Sequence, residues 1–205
     1  MKLSAVAMAE RRKIMLQAAF CLFCKKDINT VTMSEVAAET GYTLRSLHRY
    51  FRTKDNLVAE VATWTFGSFI EKLRRDRSIT ASTTAVEDYI YFVDAFLILY
   101  REHYDLLRFN QFFNIYVRTK NVDAKSMESY QKMIIALREN FHASYEKHDG
   151  TLSMDFQEEE IFSTTLHLML AAVTRYAVGL VYQGGNDQEQ ELITLRNMLI
   201  QRYTV

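Results

Sequence analysis

The chain is 205 residues long, 49% hydrophobic and 13% aromatic, with no proline and a formal net charge of zero. That composition excludes a disordered chain and supplies the core of one or two domains. No apolar run approaches the about 18 residues of a transmembrane helix, and the N-terminal MKLSAVAMAERRK lacks the apolar stretch of a signal peptide, which leaves a cytoplasmic protein with no membrane partner.

Proline is the residue least compatible with helix interiors, and its absence, where ordinary usage of about 5% would give about ten, fits an all-α chain. Overall neutrality argues against a nucleic-acid binder, but the distribution of charge argues for one. Residues 1–54 carry ten Lys or Arg against four Asp or Glu, whereas the remainder carries 15 against 21. A basic head on an acidic body places the attraction for phosphate at one end.

In chain order, residues 1–8 read as a short mobile arm and Glu10–Lys26 as a first helix, with Ile14, Ala18 and Leu22 facing inward. Arg11, Arg12 and Lys13 at its start either approach phosphates or stand in solvent. Cys21 and Cys24 have no second Cys pair and no His nearby, so they read as buried or half-buried thiols rather than half a zinc site. The stretch Thr32–Leu57, TMSEVAAETGYTLRSLHRYFRTKDNL, then splits into two short helices with a tight turn. Thr32 and Glu35 form a capping box, Val36 and Ala37 face inward, and Gly41 stands where a helix needs a left-handed terminator. Thr43 caps again, and Leu44, Leu47 and Phe51 repeat at helical spacing. Two caps with a Gly between them describe a helix-turn-helix. Arg45, Ser46, His48, Arg49 and Tyr50 lie off the apolar positions; Arg suits bidentate reading of guanine, and Tyr, Ser and Lys suit phosphate.

These residues resemble the DNA-binding domain of the TetR family of transcriptional regulators. Arg12, Ile14, Ala18, Ala19, Leu22 and Phe23 fit the family's first helix; Val36-Ala37, Gly41-Tyr42-Thr43 and Leu47 fit its helix-turn-helix; Tyr50-Phe51, Lys54 and Leu57 fit the entry to its fourth helix. Asp27 stands where members usually have Gly, a position whose left-handed backbone Asp tolerates. His48 stands where they most often have Tyr. The resemblance implies an N-terminal three-helix helix-turn-helix domain over residues 1–53 and a helical ligand-binding and dimerisation bundle over residues 54–205. It also implies a homodimer on a palindromic double-stranded DNA operator, repression as the usual mode, and a small-molecule effector. The candidate DNA-contacting residues are Thr32, Thr43, Arg45, Ser46, His48, Arg49, Tyr50 and Lys54, with Arg45 at a base edge and Tyr50 and Lys54 on phosphates.

Beyond the head, Lys54–Arg77 reads as one long helix whose Gly67 marks close packing against a neighbour, followed by a linker over Ser78–Thr84. Thr84–His103 reads as a central helix, then Tyr104–Arg118 and Asp123–Lys147, with a turn at His148-Asp149-Gly150. From Glu158 to Tyr182, Phe162, Leu166, Met169, Val173, Tyr176 and Leu180 form a seam, while Ile161, Leu168, Ala171, Ala172 and Gly179 make a second apolar face. Gly184-Gly185-Asn186 breaks this helix, and Asp187 caps a last one bearing Leu192, Leu195 and Leu199. The seam and these three leucines are the expected dimer interface.

Trp64, Phe92, Phe96, Phe109, Phe113, Met133 and Leu137 come from four helices and either enclose an effector or fill the core. Arg175 is the only charge between Glu160 and Asp187; buried in an apolar helix it would need a partner, whether Glu102, Asp94, a carboxylate across the dimer or an effector. No phosphate loop, nucleophile motif or metal-ligand spacing is present, so no cofactor, metal or catalytic residue is assigned. The competing classes are an enzyme enclosing its substrate in aromatic-rich helices and a helical adaptor of the same fold that acts through protein partners.

Overall fold

Side-chain oxygens start most of the helices. The computed structural model describes residues 4–79, 84–120, 122–179 and 187–205; within these the chain is all-α, apart from one isolated bridge between Leu152 and Thr204. Ser4 accepts from the Ala7 amide at 3.2 Å and begins α1 (Ala5–Lys25), so the expected mobile arm is helix from Ala5 onward. The reason is its composition, since Ala is the best helix former. The inward residues of α1 are Met15, Leu16, Ala19, Phe23 and Cys24, one position round from the expected stripe, and Ile14 is exposed. Apolar residues adjoin each other at 14–16, 18–20 and 22–23, and periodicity cannot choose between neighbours of that kind. Cys24 is buried and Cys21 exposed, and neither is in a disulfide.

The turn after α1 is closed by Asp27, whose carboxylate accepts from the Asn29 amide at 3.0 Å. Its backbone is not left-handed, because among the described residues only His148 combines a side chain with positive φ; an Asx turn replaces the expected glycine-like conformation. In α2 (Met33–Thr40) the Thr32 hydroxyl accepts from the Glu35 amide at 3.2 Å, and the Glu35 carboxylate accepts from the Thr32 amide at 2.7 Å. Gly41, at φ 69°, terminates the helix in the left-handed region. Thr43 then accepts from the Ser46 amide at 3.1 Å and starts α3 (Leu44–Tyr50).

The remaining helices are α4 (Lys54–Ile79), α5 (Ala85–Glu102), α6 (Tyr104–Lys120), α7 (Glu128–Tyr145), α8 (Glu158–Ala177) and α9 (Gln188–Tyr203). The expected linker is shortened: Ser78 and Ile79 belong to α4, Thr84 caps α5 in a capping box with Glu87, and residues 80–83 lie outside the described residues, as do Leu180 and the Gly184-Gly185-Asn186 break. The described part of α8 ends at Ala177, where Gly179 takes φ 72°. A Cβ on Gly67 would meet Met133 Sδ at 3.9 Å, which is ordinary contact rather than the obligatory close packing expected. None of the described helices is long and apolar enough to cross a membrane.

Two compact units divide the chain: residues up to Ser68 with Phe109–Met133, and Phe69–Arg108 with Ile134–Val205. Helices α4, α6 and α7 therefore contribute to both. The first unit is built on a ladder of rings. Phe20 meets Phe109 edge-on at 5.6 Å, Phe23 stacks on it at 6.3 Å, and Phe109, Phe113 and Tyr130 follow at 5.8 and 5.0 Å. Such pairs contribute about 0.5–1.5 kcal/mol each beyond the area they bury. In the second unit α5 is central, packed on α8 and α9. Its Tyr89 shares a 3.0 Å hydrogen bond with buried Thr165, and its Phe92 stacks on Phe162 at 5.7 Å. Residues 151–153 hold the C-terminus through Ser153 N to Tyr203 O and Val205 N to Thr151 O.

The capping box gives the first test. Thr32→Ala is expected to lower stability by about 1 kcal/mol in chemical denaturation. Lys26 and the Thr32 amide hold the Glu35 carboxyl at about 2, below its ordinary 4.5. A depressed carboxyl stabilises the fold above its unfolded value and loses that effect as pH falls toward 2. Glu35→Gln is expected to remove this part of the acid dependence, read from denaturation midpoints across that window.

Candidate nucleic-acid interface

Helix α3 is fixed by what it buries. Leu47 and the Phe51 that caps it are fully buried, and Phe51 also lies under the Arg12 guanidinium, 4.9 Å from its ring centre. With those two positions inward, Arg45, His48 and Arg49 stand exposed. Neither Arg45 nor Arg49 makes an ion pair or hydrogen bond with the described residues; Arg49 lies 5.7 Å over the Tyr50 ring. Leu44, expected inward, is 39% exposed because it sits in the first turn, beyond the core that Leu47 reaches. Ser46 is half-buried, and Thr32 and Thr43 are exposed with their hydroxyl oxygens engaged as caps.

Three expected contacts take a different form. The Tyr50 hydroxyl is buried without a hydrogen-bond partner among the described residues, so it is not presented to a phosphate; its ring tilts against Phe51 at 6.3 Å. Lys54 donates from Nζ to the Asn29 carbonyl at 3.0 Å and sits 5.5 Å over the Tyr116 ring, joining the α1–α2 turn to the start of α4. Burial, followed by the nearby Lys120, draws the Lys54 ammonium below its ordinary pKa. His48 Nδ1 lies 3.2 Å from the Arg52 carbonyl. A carbonyl only accepts, so Nδ1 carries the hydrogen in this contact.

Of the basic residues at the start of α1, Arg12 is committed within the unit to Glu60. Burial raises the Glu60 carboxyl and the Arg12 charge opposes that rise. Arg11 lies 5.5 Å over the ring of half-buried Tyr42, and Lys13 is exposed. Tyr42, Leu44 and Arg52 border the same exposed helix, and Arg52 is exposed in the turn that follows it. In the sequence they are marked only by their place beside the caps.

The expected effector residues are divided between the two units. Trp64, Phe109, Phe113 and Met133 belong to the first unit, and Phe92, Phe96, Leu137 and Arg175 to the second. Phe109 and Phe113 are buried rungs of the ring ladder, filling core. Phe92 and Leu137 do share a cleft, described below. Arg175 is exposed rather than buried, and Asp94, its suggested partner, pairs with Arg196. The expected dimer seam is likewise corrected: Phe162, Met169, Val173, Leu192 and Leu199 are buried in the chain's own core, with Leu166, Tyr176 and Leu195 half-buried. A helix apolar on two faces offers either one to the core, and here α5 takes the seam. The exposed apolar residues are Leu168 on α8, 46% exposed, and Met198 on α9, 62% exposed.

Comparison with known proteins agrees with this geometry. Residues 15–61 match the model of "Bacterial regulatory proteins, tetR family". No curated protein matches the sequence. Among solved structures, the chain is similar to a protein from Saccharomonospora viridis described as a transcriptional regulator in complex with choline (16% identity, 96% of this chain and 99% of that one, TM-score 0.75). It is also similar to the fatty acid degradation regulator FadR from Bacillus halodurans (13% identity, 98% and 97%, TM-score 0.72). A third is a TetR-family transcriptional regulator from Haemophilus influenzae (15% identity, 97% and 99%, TM-score 0.65). At these identities the likeness is one of fold.

The Lys54 contact carries its own test. Because its ammonium bonds a carbonyl, Lys54→Ala is expected to lower folding stability by about 1 kcal/mol, measured by denaturant titration without DNA. An unchanged midpoint would show that this contact adds nothing to the stability of the fold.

Proposed function

We propose that this chain, whose residues 15–61 match the tetR family of bacterial regulatory proteins, is a transcriptional repressor that binds a palindromic operator as a homodimer and is released by a small-molecule effector. The observation that carries the reading is the exposed face of α3, where Arg45 and Arg49 stand uncommitted on a helix fixed by Thr43, Leu47 and Phe51. Residues 1–53 act as the DNA-reading head, and residues 54–205 as the body that pairs and binds the effector. Arg45, in the first turn, reads a base edge; Leu44 beside it suits the methyl group of thymine. Arg49, Arg52 and Lys13 hold phosphates.

A palindrome requires two heads about 34–36 Å apart, one turn of DNA, and only a fixed two-fold interface sets that distance. The exposed apolar side chains of α8 and α9, Leu168 and Met198, support placing that interface on the outer face of these helices. An effector bound in the body acts through α4, which begins at Lys54 and contributes to both units. To release DNA it must bind the DNA-free state better, by about 1.4 kcal/mol for each tenfold loss of operator affinity.

Two measurements test this reading. In gel shifts with the upstream region of its own gene, Arg45→Ala is expected to cost about 1–3 kcal/mol and relax preference at one base position; unchanged preference would move base reading to another residue. In sedimentation, Leu168→Glu or Met198→Glu is expected to give folded monomers, because a charge buried at the interface without a partner costs about 3–5 kcal/mol. Folded dimers from both variants would place the interface elsewhere. Val173→Glu instead strikes the core and is expected to unfold the chain.

A further inference from the structure

A cleft of about 310 Å³ opens within the second unit, walled by the last turns of α4, by α5 and by α7. That volume lies at the lower end of small-molecule sites. Its floor is apolar: Ile70, Leu73, Phe92 and Leu137 line it, and Phe141 stands 5.6 Å from Phe92, with Phe162 stacked behind.

Most polar groups at its edge are already committed. The Tyr91 hydroxyl donates to the Leu73 carbonyl at 2.9 Å, and the Ser144 hydroxyl to the Asn140 carbonyl at 3.3 Å. Arg77 donates to Asp88 Oδ1 from Nε at 3.0 Å and from its terminal nitrogen at 2.6 Å, and Lys147 Nζ lies 2.6 Å from Asp88 Oδ2. Asp88, the one carboxylate of the lining, thus faces two cations. Arg74, which also lines the cleft, is exposed and makes no ion pair or hydrogen bond with the described residues. The site therefore has an excess of positive charge, one uncommitted guanidinium and an apolar floor wetted by solvent.

We infer that this cleft binds a compact amphipathic carboxylate, its apolar body on the Phe92–Phe141–Leu137 floor and its carboxylate on Arg74. The planar fork of Arg matches a carboxylate with two parallel hydrogen bonds, which a neutral head group cannot use and a cationic one would oppose. The inference rests on the effector reading above and supplies the chemical class of the effector. The Ile70, Leu73, Arg74 and Arg77 side of the cleft belongs to α4, so a ligand there contacts the helix through which release is proposed to act.

The test is calorimetric titration of the full chain with decanoate, 1-naphthoate, 1-decanol and choline. At least one of the two acids is expected to bind at least tenfold more tightly than decanol and choline, and which acid does so distinguishes a straight-chain from an aromatic body. Arg74→Ala is expected to weaken that acid at least tenfold. Ala95→Phe, which fills the cleft from α5, is expected to block it; Arg74 is exposed, so its variant keeps the test valid should Ala95→Phe fail to fold. Absence of binding by both acids, equal binding of decanol, or an unaffected Arg74→Ala would overturn the inference. Adding the bound acid to operator gel shifts separates the two claims: acid binding without loss of operator affinity keeps the cleft and removes effector release, whereas operator binding by a chain that ignores both acids removes the cleft alone.

Discussion

A seven-residue helix is not stable alone in water, because nucleation costs more than so few hydrogen bonds return. Helix α3 is of that length, and it is also the helix that presents the chemistry. Everything around it answers this constraint. Thr43 supplies the hydrogen bond that its first turn lacks, Gly41 takes the left-handed backbone that lets α2 end two residues earlier, and Leu47 and Phe51 anchor one side in the core. The side left over is exposed and polar. It stays available to a partner because the stability of α3 comes from the opposite face.

The same division governs the charges of the head. Several basic residues are committed internally: Arg12 to Glu60 and the Phe51 ring, Lys54 to the Asn29 carbonyl, and, at the surface, Lys26 to Glu35. Arg45, Arg49 and Arg52 make no ion pair with the described residues. Surface ion pairs contribute little to stability, about 0–1 kcal/mol, so leaving these cations unpaired costs the fold little and leaves their charge for phosphate and base edges. The net basicity of residues 1–54 thus overstates the number of cations left without an internal ion pair.

Local signals were legible in the sequence and distant ones were not. The capping box at Thr32, the left-handed Gly41, the cap at Thr43 and the cap at Asp187 each depend on residues within a few positions, and each stands where spacing placed it. Which apolar face a helix buries depends on its neighbours in space. In α1, apolar residues side by side made Ile14 and Met15 equivalent candidates, and packing chose Met15. In α8, two apolar faces competed, and α5 took the one bearing Phe162, Met169 and Val173. The aromatic residues grouped by helix face divide between the two units for the same reason. Phe109 and Phe113 sit among the rings of α1 and α7, whereas Phe92 and Leu137 line a cleft whose partners, Arg74 and Arg77, carried no signal except that of a solvated helix end.

The central claim is that the exposed face of α3 reads a specific, two-fold DNA sequence. Selection of binding sites from random duplex DNA by the purified chain, followed by footprinting of the winner, tests it most directly. The account predicts enrichment of a palindrome with half-sites about one helical turn apart, protected on both halves and bound with an affinity that falls steeply with salt. Recovery of no common sequence, with binding no tighter than to unselected DNA at the same salt, would contradict it.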